Sequence, residues 1–164
     1  MRHHIIKIPI ILFLLTATLS CNEANGYKQD KNNNYYVTKV VDGDTFWANN
    51  GAEKDIKVRL IGIDAPESRK TGKKEIGYFG KEAKTYLTTL LSEKYVKLVS
   101  DVDSLDRYGR TLAYVYLQNG TFVNAELVQN GYAVVMTIPP NVKYADLFFK
   151  LQTQARENKR GLWN

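Results

Sequence analysis

The stretch DIKVRLIGIDAPE, residues 55–67, decides the architecture, because it combines a half-buried strand with an abrupt and charged exit. Its side chains alternate with a period of two, which is typical of a strand with one face in a core. The two faces are Ile56, Val58 and Leu60 on one side, and Lys57, Arg59 and Ile61 on the other. The strand then reaches Asp64 and Glu67 across Pro66. A turn accounts for this ending by itself, since Asp and Pro both favour chain reversal.

The flanking segments predict further strands. Residues 35–51, YYVTKVVDGDTFWANNG, begin with β-branched and aromatic residues and close on a turn signal, Asn-Asn-Gly. This run and residues 55–63 are expected to be successive antiparallel strands. Two more strands are predicted at 95–100 and 111–117, and Asn119-Gly120 is expected to close a hairpin into a short strand at 121–123.

Three segments show helical spacing. In residues 81–94 the apolar positions Ala83, Leu87, Leu90 and Leu91 recur at helical intervals. Residues 124–131 predict a short helix with Asn124 as its N-cap and Gly131 just past its end. The last helix is expected within 144–161, with one stripe made of Leu147, Phe148, Leu151 and Ala155.

These elements predict an α+β fold that is mainly β. Five short strands, one helix inserted among them and more helix at the end fit a small barrel with packed helices, and a five-stranded OB-type barrel is a natural candidate. The chain contains one cysteine, so it has no internal disulfide and its stability must come from the core. The expected core members are Phe46, Trp47, Leu60, Leu87, Leu112, Val115, Phe148 and Leu151.

The beginning of the chain differs from the rest. Residues 1–20 carry Arg2 and Lys7 but no acid, followed by a short apolar run, which is the layout of a secretory signal peptide. A retained membrane anchor is the alternative. Cys21 follows directly and resembles the lipid-attachment cysteine of bacterial lipoproteins, although Thr18 stands where an aliphatic residue is usual; a free thiol near a cleavage site is the other interpretation. Residues 21–34 are polar and predict a flexible tether, which leaves 35–164 as one folded domain.

The formal net charge of +6 suits a polyanionic partner, but many ordinary protein surfaces are as basic. Charge alone therefore selects no function.

Three polar clusters stand at the ends of predicted strands. They are VVDGDT with Asp42 and Asp44, VRLIGIDAPE with Arg59, Asp64 and Glu67, and DSLDRYGR with Asp106, Arg107, Tyr108 and Arg110. Each alone has a structural explanation, as a turn, a polar loop or a water-facing arginine.

Together the clusters supply what phosphodiester hydrolysis requires. Asp44 and Asp64 offer carboxylate oxygens to a hard divalent cation, which would screen the phosphate and polarise a phosphoryl oxygen. Arg59 and Arg110 are two planar forks suited to phosphate oxygens and to the charge of the transition state. Glu67 follows a stiff turn and could take a proton from the attacking water.

The motifs DGDT, RLIGIDAPE, DRYGR, LAYVY and NAELVQNGYA, in this order, closely resemble the staphylococcal nuclease (thermonuclease) family, over nearly the whole of residues 35–163. The resemblance implies an OB barrel with three helices and calcium-dependent cleavage of DNA and RNA, leaving 3′-phosphorylated products. We expect a monomer that acts on nucleic acid. The predicted signal peptide places it outside the cytoplasm, either secreted or held at the cell envelope by a lipid on Cys21.

Carried across by position, the resemblance implies roles for individual residues. Asp44, Asp64 and the main-chain carbonyl of Ala65 would bind calcium, with Asp42 as a nearby acid that shapes the site. Glu67 would be the general base, and Arg59 and Arg110 would bind the scissile phosphate. Tyr108 would contact a terminal phosphate of the substrate, beside a basic residue, Arg107.

The sequence departs from the family in two places. Ala65 replaces a threonine, which leaves a carbonyl ligand unaffected. Thr137 stands where a tyrosine is expected over the bound base, and Tyr144 lies near it in sequence.

Two other functions remain open on the sequence alone. One is a catalytically inactive OB-fold module that binds nucleic acid or protein at the envelope; the presence of all five acids and arginines argues against it. The other is an envelope lipoprotein whose barrel binds sugars or protein partners, which leaves the two arginines beside the acids unexplained.

Overall fold

The computed structural model describes residues 34–70, 72 and 75–164. The expected signal peptide, Cys21 and almost all of the expected tether lie outside the described residues. Asn34, the last residue assigned to that tether, is the first residue of a strand. Within the described part of the chain, no helix has the length and apolar character needed to cross a membrane.

A closed five-stranded barrel is the centre of the fold, which confirms the predicted fold class. The strands occur along the chain as β1 (Asn34–Asp42), β2 (Thr45–Asn49), β3 (Ile56–Leu60), β4 (Ile63–Asp64), β5 (Tyr95–Val99), β6 (Thr111–Leu117) and β7 (Val134–Val135). The barrel order is β1-β2-β3-β6-β5, and β5 pairs with β1 to close it. All neighbours are antiparallel except β3 and β6, which are parallel. The short strands β4 and β7 form a separate pair beside the barrel.

Three α-helices pack around the barrel: α1 (Gly80–Leu91), α2 (Val123–Gln129) and α3 (Ala145–Glu157), with a final 3-10 turn at Gly161–Trp163. Helix α1 follows β3 and β4 as expected and buries Ala83, Leu87 and Leu91. In α3 the predicted stripe is buried at Phe148 and Ala155, whereas Leu147 is 39% exposed.

The core lies inside the barrel and beneath the helices. Phe46, Leu60, Leu87, Val115 and Phe148 are buried as expected, and Leu112 and Leu151 are partly buried against them. Trp47 was expected in this core, and that expectation is wrong. Because side chains alternate along β2, burial of the residues on either side, Phe46 and Ala48, turns Trp47 to the outer face.

Two other expectations about local structure are wrong. The run 35–51 is two strands rather than one, because the chain reverses at Gly43 between β1 and β2. The short strand at 121–123 is reduced to a bridge between Tyr116 and Phe122, and α2 begins at Val123.

Asn124 therefore lies inside α2 and does not cap it. Its side chain is fully buried, accepts a hydrogen bond from the Val115 N–H at 2.9 Å and donates one to the Ile61 carbonyl at 2.9 Å. Satisfying main-chain groups at the parallel β3–β6 junction takes precedence here over capping.

Candidate active site

A cleft of about 800 Å3 opens on the outside of the barrel, where β1, β3, β4 and the connection between β5 and β6 converge. Nearly all the predicted site residues line it. They are Asp42, Asp44, Arg59, Asp64, Ala65, Glu67, Arg107, Tyr108 and Arg110. Three chain segments far apart in sequence thus meet at one opening, because antiparallel and crossover pairing brings the ends of their strands together.

Arg59 lies between the two aspartates predicted to bind metal. Its Nη1 forms an ion pair with Asp44 Oδ2, and its Nη2 donates to Asp64 Oδ1 at 2.6 Å and to the Ile63 carbonyl at 3.1 Å. The Arg59 side chain is only 13% exposed. Two carboxylates in close proximity repel each other, and the guanidinium between them offsets that repulsion.

Asp44 accepts two hydrogen bonds in addition to its ion pair with Arg59. Thr45 Oγ1 donates to its Oδ1 at 2.8 Å, and the Ala65 N–H donates to its Oδ2 at 2.8 Å. The β1–β2 turn approaches Ala65 closely because Gly43 has no side chain: a Cβ there would lie 2.6 Å from Ala65 Cβ. Packing therefore presents the Asp44 carboxylate to the cleft in a fixed orientation.

Asp42 links the β1–β2 turn to the segment that follows Glu67. Its Oδ1 accepts hydrogen bonds from the N–H groups of Gly43 and Ser68, both at 3.0 Å. These bonds tie the β1–β2 turn to the segment after Glu67.

The donor set fits a hard divalent cation that keeps part of its water. The described residues contain no group of three or more His, Cys, Asp or Glu side chains able to hold a metal ion. Asp44 and Asp64 supply two carboxylates, and a main-chain carbonyl such as that of Ala65 would be a third oxygen ligand. Oxygen donors of this kind suit calcium, magnesium or manganese better than zinc or copper, which prefer imidazole or thiolate ligands.

Glu67 is a half-buried member of the cleft wall, and its main chain is clamped by the segment before α1. Its carbonyl accepts a hydrogen bond from the Gly77 N–H at 2.9 Å. A Cβ on Gly80 would come within 2.2 Å of that same carbonyl oxygen. Two glycines therefore allow the start of α1 to press against Glu67 and fix its position.

Arg110 approaches the cleft from the connection between β5 and β6, and Asp106 holds it in place. Its Nε donates to Asp106 Oδ2 at 2.6 Å, while the N–H groups of Arg110 and Tyr108 both donate to Asp106 Oδ1 at 2.9 Å. Burial by itself would raise the pKa of Asp106, but these hydrogen bonds and the charge of Arg110 outweigh it and hold the pKa below its usual value.

Burial lowers the pKa of the Arg59 guanidinium, while its contacts with Asp64 raise it. The positive charge of Arg110, which lines the same cleft, also lowers the pKa of Arg59. Arg59 nevertheless stays charged at neutral pH, because a guanidinium is effectively always protonated in proteins. A phosphate in the cleft would meet the guanidinium groups of both residues, one from β3 and one from the β5–β6 connection.

Tyr108 is 68% exposed at the rim, with the guanidinium groups of Arg107 and Arg110 at 4.8 and 5.5 Å from its ring centroid. Thr137 is not among the cleft-lining residues, although its neighbours Met136 and Ile138 are. Tyr144 packs away from the cleft against Tyr114, with ring centroids 4.6 Å apart, so it offers no surface to a bound base there.

No function was predicted for Asp106 from the sequence, although its carboxylate orients the Arg110 guanidinium. A signal for it exists in the sequence: an Asp followed by glycine and arginine at the third and fourth positions, as in DRYGR, is typical of a turn in which the Asp side chain accepts main-chain N–H groups.

Comparison with known proteins gives a consistent picture. Residues 57–164 match the family model described as staphylococcal nuclease homologue. The chain is 37% identical over 129 residues to a protein named thermonuclease from Staphylococcus intermedius, which covers 79% of this chain and 75% of that protein. It is 36% identical over 130 residues to the thermonuclease of Staphylococcus hyicus, with 79% and 75% covered. It is also 37% identical over 136 residues to endonuclease YhcR of Bacillus subtilis (strain 168), covering 78% of this chain but 11% of that protein.

Proposed function

The chain belongs to the staphylococcal nuclease family, and from that premise we propose that it is a calcium-dependent nuclease that cleaves DNA and RNA internally and leaves 3′-phosphates. The observation that supports this most directly is the convergence on one cleft of two arginines, Arg59 and Arg110, with the carboxylates of Asp44, Asp64 and Glu67. A protein of this fold that only bound nucleic acid, without cleaving it, would have no use for the whole set of acids and arginines.

In the proposed reaction, a water oxygen attacks the phosphorus atom and the bond from phosphorus to the 5′ oxygen breaks. Glu67 takes one proton from the water, and the departing 5′ oxygen takes up a proton from solvent. Arg59 and Arg110 donate hydrogen bonds to the nonbridging oxygens, whose negative charge increases in the five-coordinate transition state. Tyr108, at the exposed rim beside Arg107, is proposed to contact a terminal phosphate of the substrate.

Asp44, Asp64 and the Ala65 carbonyl are the proposed calcium ligands, with Asp42 supporting them from beside the site. When bound there, calcium would supply charge screening of the phosphate and polarisation of a phosphoryl oxygen. The hydrogen bonds from Thr45 and Ala65 keep Asp44 oriented in the cleft.

We also propose that the protein is exported and acts as a monomer. Residues 1–20 would be the signal peptide and 21–34 a tether, with Cys21 as the site of a lipid that holds the domain at the cell envelope. Export would separate the nuclease from the cell's own nucleic acid. Replacement of Cys21 by serine should release the protein from membranes; membrane association that survives Cys21→Ser would contradict lipid attachment.

The central experiment measures cleavage of single-stranded DNA and of RNA with calcium, magnesium or a chelator. We expect cutting with calcium and none with the chelator. Glu67→Gln should lose most of the rate while unfolding at the same denaturant concentration as the wild type. Glu157→Gln, at the exposed end of α3, is the matched control and should cut normally.

A Glu67→Gln variant that cuts at nearly the wild-type rate would remove the general base from the proposal. A wild-type chain that binds DNA but does not cut it with any of the metals tested would indicate a binding module instead of an enzyme.

A further inference from the structure

A row of three side chains crosses the outer face of the barrel next to the cleft. In the strand register, Lys39 of β1 lies opposite Trp47 of β2, and Trp47 lies opposite Lys57 of β3. Directly opposed residues of antiparallel strands share one face of the sheet. Because Phe46, beside Trp47, and Val58, beside Lys57, are fully buried inside the barrel, this row faces outward.

Trp47 is half-buried on this face, although it makes no part of the hydrophobic core. The Lys57 Nζ lies 5.7 Å from the centre of its ring, and Lys39 is exposed on the other side. In the described part of the chain, the main packing partners of β2 and β3 are other strands, and the helices pack elsewhere. The half-buried indole therefore lies on a strand face that the helices leave largely uncovered, with the Lys57 ammonium over its ring and the exposed Lys39 opposite it in β1.

The row continues directly into the cleft. Lys57 lines the cleft together with Arg59, which lies two residues further along β3 on the same face. That step corresponds to roughly 6.7 Å along a strand, and the row itself spans roughly 10 Å across three strands. A chain that leaves the Arg59 phosphate site along the sheet would reach Trp47 next.

The chemistry of the row suits one class of ligand. Proteins that hold single-stranded nucleic acid combine cations for the phosphates with aromatic rings on which unpaired bases stack. A duplex does not offer an unpaired base to such a ring. Asp55, hydrogen-bonded to Thr38 and Asn49, lies beyond the row and marks an acidic end to the surface on the side away from Arg59.

We propose that Lys39, Trp47 and Lys57 form a second binding surface for single-stranded nucleic acid, on which a base stacks on Trp47 and the two lysines contact the flanking phosphates. The surface rests on the proposed function only in that the strand it holds extends from the cleft. It would make long substrates bind more tightly than short ones.

The test uses tryptophan emission. The chain has two tryptophans, and Trp163 can be replaced by phenylalanine at little cost, since its buried Nε1 has no hydrogen-bond partner among the described residues. The full-length Trp163→Phe protein then reports on Trp47 alone. It is titrated with oligo(dT) of two and of twelve nucleotides, with a chelator present to prevent cleavage. We expect saturable quenching by the twelve-nucleotide strand and almost none by the two-nucleotide strand.

Affinity measurements on single variants complete the test. Trp47→Ala should weaken binding of the longer strand about tenfold or more, as for other bases stacked on aromatic rings. Lys57→Gln should reduce the slope of log affinity against log salt by about 0.7, the value for one phosphate contact on a single strand. Tyr95→Ala and Lys97→Gln, on the outward face of β5 and outside the cleft, are the matched controls and should leave binding unchanged.

Each outcome decides something definite. Normal cleavage of long DNA without any change in Trp47 emission, together with unchanged affinity of Trp47→Ala, would overturn the second surface and leave the nuclease proposal standing. If the Trp163→Phe protein shows length-dependent quenching but the wild-type protein does not cut DNA with any metal, the surface is supported and the nuclease proposal is refuted.

Discussion

Replacing Asp106 by asparagine should disable Arg110 without removing it. Asp106 Oδ2 accepts the Arg110 Nε–H at 2.6 Å, and its Oδ1 accepts two main-chain N–H groups of the same turn. An asparagine oxygen can keep the two main-chain bonds, so the turn should persist. Its NH2 group is a donor and cannot accept from the guanidinium, so Arg110 should lose its fixed orientation.

The size of the effect follows from this contact. The side chains are 15% and 28% exposed, so the pair is only partly screened by water. A hydrogen bond between charged groups contributes about 1.5–3 kcal/mol. If that energy orients Arg110 towards the transition state, its loss should lower kcat by about ten- to a hundredfold, with a smaller change in KM.

Stability against pH gives an independent measurement. The folded-state pKa of Asp106 is held below its usual value, so its contribution to stability is present above the unfolded pKa of about 3.9 and is lost as the pH falls below that value. The difference in unfolding free energy between wild type and Asp106→Asn should therefore be largest near neutral pH and should shrink below about pH 4.

The assay is single-turnover cleavage of a defined oligonucleotide, combined with urea unfolding at several pH values. Asp101→Asn is the matched control: Asp101 lies in the same connection but accepts from Tyr114 Oη at 2.9 Å and from the Lys143 N–H at 3.1 Å. Both bonds reach Asp101 Oδ2, and an asparagine oxygen can accept both, so Asp101→Asn should keep its kcat and change stability little. An Asp106→Asn enzyme with wild-type kcat would refute the argument that Asp106 positions a catalytic arginine.

Three other perturbations test separate parts of the structure. Arg59→Met removes the cation that Asp44 and Asp64 share. The substitution should lower the unfolding free energy by about 3–5 kcal/mol when a chelator is present and by less when calcium is present. Identical melting of the variant with chelator and with calcium would contradict the bridging arrangement. Asn124→Ala leaves buried main-chain groups unpaired and should cost about 1–3 kcal/mol for each in urea unfolding, whereas an unchanged midpoint would show that water replaces the amide. Burial and a hydrogen bond to Glu126 raise the pKa of Tyr86 to about 12, so its stabilising effect is present below the ordinary pKa of 10 and is lost as the pH rises towards 12. Tyr86→Phe should remove the ionisation step near pH 12 from the phenolate absorbance titration. A titration curve unchanged by the substitution would contradict the assignment.

Features that depend on near neighbours along the chain follow from the amino-acid sequence alone. Alternation of Val58 and Leu60 with Lys57 and Arg59 identifies the inner and outer faces of β3. Helical spacing of Ala83, Leu87 and Leu91 identifies the buried face of α1, although that helix spans Gly80–Leu91 and not the predicted 81–94. Gly131 ends α2 with a φ of 73°, as expected of a glycine just past a helix. These features are local because the side-chain period of a strand or helix is fixed by its own backbone.

The tertiary structure decided everything that depends on which distant segments meet. Only the parallel pairing of β3 with β6 explains why Asn124 is a buried hydrogen-bonding residue and not a helix cap. Only closure of the barrel shows that Trp47 faces outward. The sequence identified Asp44, Asp64 and Arg59 as a group, but the position of Arg59 between the two acids follows from long-range packing, because a side chain's partners are set by the strands beside it and not by its neighbours in the chain.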